Sequence, residues 1–206
     1  MKKNNSYLLD LIKSQKDNFS LDQSFYTNKS IFEMDLKTFF FNQWVFVGHI
    51  SRIKNKGDYF LFSIGEESII IIRENEDKIN AFYNVCRHRG SHICLEEEGR
   101  VRKFVCPYHA WNYDLSGKLL KARMMDDNFK PKNWSLKKCN CIVFEGLIFI
   151  NLSENASNFK NFINPIEDFI KLHGLGKAKI AARKIYPTKG NWKLTLDNFH
   201  ECYHCQ

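Results

Sequence analysis

The 206-residue chain lacks any apolar stretch long enough for a secretion signal or a membrane-spanning helix. Its first residues, Met1-Lys2-Lys3-Asn4-Asn5-Ser6, are charged and polar, and the short apolar run at 8–12 is broken by Asp10. A membrane is therefore not an expected partner. The chain also lacks a concentrated basic patch: Lys and Arg outnumber Asp and Glu by 31 to 23, for a net charge of +8, but they are scattered. Nucleic-acid binding needs such a patch, so nucleic acid is not expected either. A general attraction toward an acidic redox protein stays open. No internal repeat is visible, and seven cysteines are an odd number for a disulfide scaffold. Cys139-Asn140-Cys141 lacks the two-residue spacer of a redox or zinc knuckle, and on a strand its two side chains share a face as small packing groups. Reduced thiols of this kind fit a cytoplasmic protein. With 44% hydrophobic residues and 15% aromatics the chain has the material for a packed core and is not disordered.

What is present is a paired arrangement of cysteine and histidine, Cys86-Arg87-His88 and then Cys106-Pro107-Tyr108-His109. Two thiolates and two imidazoles can satisfy one tetrahedral zinc ion. Structural zinc sites usually group like ligands, two Cys in one knuckle and two His in the next. Here each segment supplies one of each, which suits a two-iron cluster held between two loops. The pattern reads as a Rieske-type [2Fe-2S] site with ligands Cys86, His88, Cys106 and His109. Two Cys hold one iron and two His the other, and neutral nitrogen in place of anionic sulfur raises the potential above that of an all-cysteine cluster. The chemistry implied is the movement of single electrons.

The flanks extend the pattern. Cys86-Arg87-His88-Arg89-Gly90 and Cys106-Pro107-Tyr108-His109-Ala110-Trp111-Asn112-Tyr113-Asp114-Leu115-Ser116-Gly117 resemble the Rieske domain of ring-hydroxylating oxygenase large subunits. Gly90 and Pro107 have local reasons to be there, positive φ in one case and a fixed φ with no amide in the other, and both also suit ordinary turns. Arg89 is either a brace on a carboxylate or carbonyl or a solvated surface residue. His92 lies near the first segment but outside the ligand set, and His49 and His173 read as a satisfied strand histidine and a helix C-terminal residue. Respiratory Rieske proteins resemble the same pattern but carry two further cysteines where this chain has Ser91 and Tyr108, and a sulfur-bonding serine where it has Trp111. That resemblance implies fewer donors to sulfur and a potential toward roughly −150 mV, within reach of an NAD(P)H-fed reductase.

Three regions follow along the chain. Residues 1–43 form an N-terminal helical segment, with Leu8, Leu9, Ile12 and later Ile31, Phe32, Leu36, Phe39, Phe40 at helical spacing. Residues 44–152 form the cluster domain, with strands predicted at 44–49, 59–64, 68–73, 79–84, 103–106, 112–113 and 142–151 between breakers such as Gly57-Asp58, Glu98-Gly99 and Ser116-Gly117. Their spacing predicts a mainly β fold, an antiparallel β-sandwich with two cluster-binding loops at one end. Residues 153–206 are read as a linker, with a helix predicted at 163–172, and, as the oxygenase resemblance implies, the start of an α+β catalytic domain.

The final segment, Asn191-Trp192-Lys193-Leu194-Thr195-Leu196-Asp197-Asn198-Phe199-His200-Glu201-Cys202-Tyr203-His204-Cys205-Gln206, resembles the opening helix of the oxygenase catalytic domain. A helix here would place Trp192, Leu196, Phe199 and Tyr203 on one stripe and Asn198, Glu201 and His204 on another. Taken alone, Glu201 and His204 are an exposed helix pair. The resemblance implies more: His204 as first histidine of a 2-His-1-carboxylate mononuclear non-haem Fe(II) centre, whose open positions take O₂ and substrate, and Glu201 as the carboxylate bridging it to a cluster histidine. It also implies an NAD(P)H-dependent reductase or ferredoxin as electron donor, a small organic substrate (an aromatic compound or a quaternary amine such as carnitine or betaine), hydroxylation or oxidative demethylation, and a homotrimer. The second histidine and the iron carboxylate are expected beyond Gln206, so the chain is expected to be an N-terminal part of such an enzyme. A stand-alone Rieske ferredoxin and a zinc protein are the alternatives, the former burdened by the flanking segments it does not need.

Overall fold

The structure, a computed structural model, describes residues 2–123, 125–126 and 128–201. Packing divides the chain into two compact units, one at Phe40–Arg183 and the other joining the residues up to Phe39 with those from Lys184.

The larger unit is built on ten antiparallel strands: β1 (Val45–His49), β2 (Asp58–Ile64), β3 (Glu67–Arg73), β4 (Ile79–Tyr83), β5 (Glu98–Arg100), β6 (Phe104–Val105), β7 (Asn112–Tyr113), β8 (Leu119–Lys121), β9 (Lys138–Phe144) and β10 (Leu147–Asn151). Seven form one sheet in the order β1-β10-β9-β4-β3-β2-β5, and three form a second, β6-β7-β8. The mainly β antiparallel fold expected from the sequence is the fold observed. Strand β3 explains how the two sheets share one body. Ile69, Ile70, Ile71 and Ile72 are all fully buried, and because successive strand side chains point to opposite faces, the run feeds two cores. Ile70 and Ile72 join Phe82, Phe104, Trp111, Tyr113 and the thiols of Cys86 and Cys106. Ile69 and Ile71 join Phe60, Ala81, Ile148 and Ile150 on the other side. Each such isoleucine contributes about 1.5–3 kcal/mol by burial, so β3 anchors the sheet under the paired loops from both faces.

Three local readings change. The single strand predicted at 142–151 is the hairpin β9–β10, with Phe144 opposite Leu147. Glu145 and Gly146 both have positive φ, 48° and 78°, the two-residue turn that matches strand twist. A side chain at Gly146 would also meet the His49 ring, so the turn is tied to its surroundings as well as to its type. Glu98-Gly99, read as a breaker, lies in β5, an edge strand whose strand partner among the described residues is β2 and whose Glu98 also pairs with Arg52. The helix predicted at 163–172 is interrupted near Pro165, leaving α-helical turns at Phe159–Ile163 and Glu167–Leu172 around a 3-10 turn; proline has no N–H to continue the ladder. His173 does sit at that helix's C-terminus, followed by left-handed Gly174. His49 is buried, its ring bonded to Ser51 and to the Leu175 carbonyl.

The smaller unit contains α-helices at Lys2–Lys13, Ser24–Thr27, Lys29–Asp35 and Trp192–His200. Asn191 caps the last of these by accepting from Lys193 N–H. Its Lys193 forms a buried ion pair with Asp35, which also accepts from the Trp192 indole at 3.2 Å. The helix ends at His200 and Glu201 is extended, with φ −86° and ψ 95°. The polar row expected to continue helically through Glu201 is therefore broken there; Tyr203 and His204 lie outside the described residues. No helix among the described residues is long and apolar enough to cross a membrane.

Candidate metal centre

The two Cys/His segments fold as loops with one backbone frame. In the first, Cys86 N–H donates to Ser91 C=O at 2.8 Å and Gly90 N–H donates to Cys86 C=O at 3.0 Å. In the second, Cys106 N–H donates to Trp111 C=O at 2.9 Å and Ala110 N–H to Cys106 C=O at 2.9 Å. The residue four places after each cysteine is left-handed, Gly90 at φ 72° and Ala110 at φ 55°. Each loop thus curls around its own cysteine carbonyl.

The loops meet at their functional side chains. Both thiols are 2% exposed and lie in one buried cluster, close enough to interact electrostatically. The rings of His88 and His109 are 4.6 Å apart, nearly edge-on. The sequence pairing is thereby a spatial pairing of sulfur with sulfur and nitrogen with nitrogen. Nδ1 of His88 is buried and has no hydrogen-bond partner among the described residues. A buried, unpartnered acceptor calls for an explanation, and a metal ion supplies one. Two pairs, one of sulfur and one of nitrogen, are what a two-iron cluster requires.

Electrostatics fits the same donor set. Burial is the main influence raising the Cys86 thiol above its ordinary pKa; Tyr113 and the His88 backbone oppose it, and the Cys106 thiol adds to it. Burial also lowers His88, reinforced by His109 and Arg89. Both directions favour the uncharged form, the imidazole of His88 and the thiol of Cys86, until a cation lies against them. The remaining described cysteines behave differently: burial pushes Cys94, Cys139 and Cys141 up to about 12 with no nearby ligand set. They are free thiols that pack.

Two side chains at the loops were not singled out by sequence, and a third, Trp111, was noted only as standing in place of a sulfur-bonding serine. Tyr113 is fully buried, and its hydroxyl accepts from Arg87 N–H at 3.2 Å while lying 3.3 Å from Cys86 Sγ. The hydroxyl thus bridges the loop backbone and the sulfur, and its proton is free to point at Cys86 Sγ. Asn84 is also fully buried and braces the first loop with four bonds: it accepts from Ile93 and Cys94 N–H and donates to Cys94 C=O and Ser68 Oγ. Trp111 stacks on the His88 ring. The one sequence signal for the first two is a polar tip at the end of a buried β run. Arg89 and His92 are exposed.

Glu201 is exposed at the end of the last helix, where with Tyr26, Asp197, His200 and residues 18–21 it lines a cavity of about 380 Å³. Tyr26 donates to Asp197 at 2.6 Å on its wall. His204 lies outside the described residues.

Residues 43–139 match the Rieske [2Fe-2S] domain family. The chain is 39% identical over 197 residues to the glycine betaine monooxygenase oxygenase subunit of Pseudomonas aeruginosa, covering 95% of this chain and 46% of that protein. A crystal structure of a quaternary ammonium Rieske monooxygenase in complex with L-carnitine superposes with TM-score 0.81 at 35% identity, over 88% of this chain and 53% of the other. Naphthalene 1,2-dioxygenase from Rhodococcus sp. superposes with TM-score 0.88 at 26% identity, over 99% and 49%. The chain spans about half the length of the curated relatives it matches.

Proposed function

We propose that this chain, which belongs to the Rieske oxygenase large-subunit family, is the electron-relay part of an oxygenase acting on a small quaternary ammonium compound. The observation that carries the reading is the buried meeting of Cys86 with Cys106 and of His88 with His109, with His88 Nδ1 left unpartnered. In this reading the two cysteines hold one iron of a [2Fe-2S] cluster and the two histidines the other. The bound cluster supplies storage for one electron near neutral charge. The chain's own residues do the rest: Tyr113 donates to the Cys86 sulfur, Asn84 holds the first loop closed, and Pro107 stiffens the second.

Glu201 is assigned as a bridging carboxylate and His204 as the first histidine of a mononuclear iron site, as the terminal segment's resemblance implies. An NAD(P)H-dependent reductase or ferredoxin supplies the electrons, O₂ is the co-substrate, the working assembly is a homotrimer and the compartment is the cytoplasm. Support for the flanking assignments comes from likeness that runs through 95% of the chain, well outside the cluster domain; a stand-alone ferredoxin has no use for those segments. Support for a quaternary amine over an aromatic substrate comes from identity, 39% to a glycine betaine oxygenase subunit against 30% to the benzene 1,2-dioxygenase alpha subunit of Pseudomonas putida.

Electron paramagnetic resonance of the dithionite-reduced protein is the deciding experiment. A Rieske-type signal with two irons per chain is expected; one zinc per chain and no such signal would overturn the assignment. For the substrate, oxygen uptake in a protein carrying this chain and the remaining half of its relatives' length is expected to respond to glycine betaine or carnitine and not to benzene.

A further inference from the structure

We propose that Trp111 is a positioning residue for the His88 ligand: its indole sets the rotation of that imidazole and keeps water from the covered face. The inference rests on the cluster reading above. The torsion that aims a histidine ring is broad and weakly selected by rotamer preference, so a neighbour must fix it. Trp111 lies almost parallel to His88, with ring centroids 4.8 Å apart and planes 8° from one another, an offset stack. The indole is itself immobilised, 1% exposed and met edge-on by Phe129 at 5.6 Å and Trp134 at 5.8 Å. Those two rings stack on each other at 5.7 Å, so the wall behind His88 is two aromatic layers deep.

The geometry also interlocks the loops. Trp111 belongs to the second loop by its backbone, since its carbonyl accepts from Cys106 N–H. Its side chain covers the histidine of the first. Among the described residues nothing comparable covers His109, which is exposed and whose ring neighbour Tyr108 is tilted by 41° and 59% exposed. The two histidines are therefore unequal, one walled and one open.

A consequence for potential follows from charge. With two thiolates and two neutral imidazoles as ligands the oxidised centre is neutral, so the added electron is an uncompensated negative charge, which burial disfavours. Opening the wall beside His88 should raise the potential.

The test compares Trp111→Leu, which removes the flat face, with Trp111→Phe, which restores one, in the full chain. Trp111→Leu is expected to shift the reduced-to-oxidised ratio about tenfold at a fixed poise, about 59 mV upward for one electron, and to show a new exchangeable deuteron in pulsed resonance after transfer to D₂O. Trp111→Phe is expected to match the parent. A Trp111→Leu protein with parental potential and no new deuteron would overturn the proposal. If that variant does not assemble a cluster, the Phe129→Leu/Trp134→Leu double variant, which keeps the indole but removes its backing, takes its place: an altered spectrum and raised potential support the proposal, and parental values overturn it. Absence of a Rieske signal in the parent would instead defeat the underlying cluster reading.

Discussion

The two cysteine–histidine loops have the same backbone and different surroundings, and each difference can be traced to particular side chains. Both curl around their cysteine carbonyl and both need a left-handed residue four places on. The first meets that need with Gly90, the second with Ala110, for which the left-handed region is unfavourable by roughly 1–2 kcal/mol. The first is closed by the four bonds of buried Asn84; the second has a single bond from Asn112 Nδ2 to Ala110 C=O at 2.6 Å. Its proline and the packing of Trp111 supply the remaining rigidity. One frame can thus be stabilised by polar bracing or by aromatic packing, and the aromatic side chain of the second loop covers the histidine of the first.

Several measurements would break or sharpen that comparison. The largest effect is expected from His88→Ala and His109→Ala, each of which should abolish the Rieske signal; a stable native spectrum after either change would show that the loops are not equal donors of ligands. Asn84→Ala should be next, leaving the Ile93 and Cys94 amides buried without acceptors at about 3 kcal/mol, read as a lower denaturation midpoint. Asn112→Ala should lose about 1 kcal/mol, and equal losses for the two would refute the contrast in bracing. Gly90→Ala should destabilise by about 1 kcal/mol while Ala110→Gly is neutral or slightly stabilising; both shifting in one direction would disprove the shared frame.

Tyr113→Phe removes the donor to Cys86 sulfur, which stabilises the more negative reduced state. The potential should fall by about 40 mV, the equivalent of about 1 kcal/mol, and titration of the purified variant checks the sign. The smallest effect is on Cys94, Cys139 and Cys141. Their thiols, pushed up to about 12 by burial, stay protonated at pH 8 and should resist alkylation in the folded protein; rapid labelling by mass spectrometry would contradict their role as packing groups.

Much of the fold was legible because β3 carries a continuous run of four isoleucines and β4 ends in two aromatics, with turn residues around them. The β9–β10 hairpin was not, since Glu145-Gly146 interrupts an apolar run without the asparagine or aspartate that usually marks such a turn. At the cluster, the ligands were legible from type and spacing, but Tyr113 was not, because its partner Cys86 is 27 residues away. His49 is the same case at longer range, bonded to a carbonyl 126 residues on. Glu201 shows the opposite limit: periodicity extended the last helix through it, and the backbone turns away after His200.

The sequence by itself determined which atoms are available to hold metal, because coordination depends on side-chain type and short spacings that survive without a fold. It also determined the antiparallel β character through the alternation and β-branching of its strands. Only the tertiary structure decided that the thiols meet each other and the imidazoles meet each other, that Tyr113 faces sulfur, and that one histidine is walled by Trp111 while the other is open. Those properties come from burial and hydrogen bonds between residues far apart in the chain, and solvent exclusion at a point exists only once the chain has closed around it.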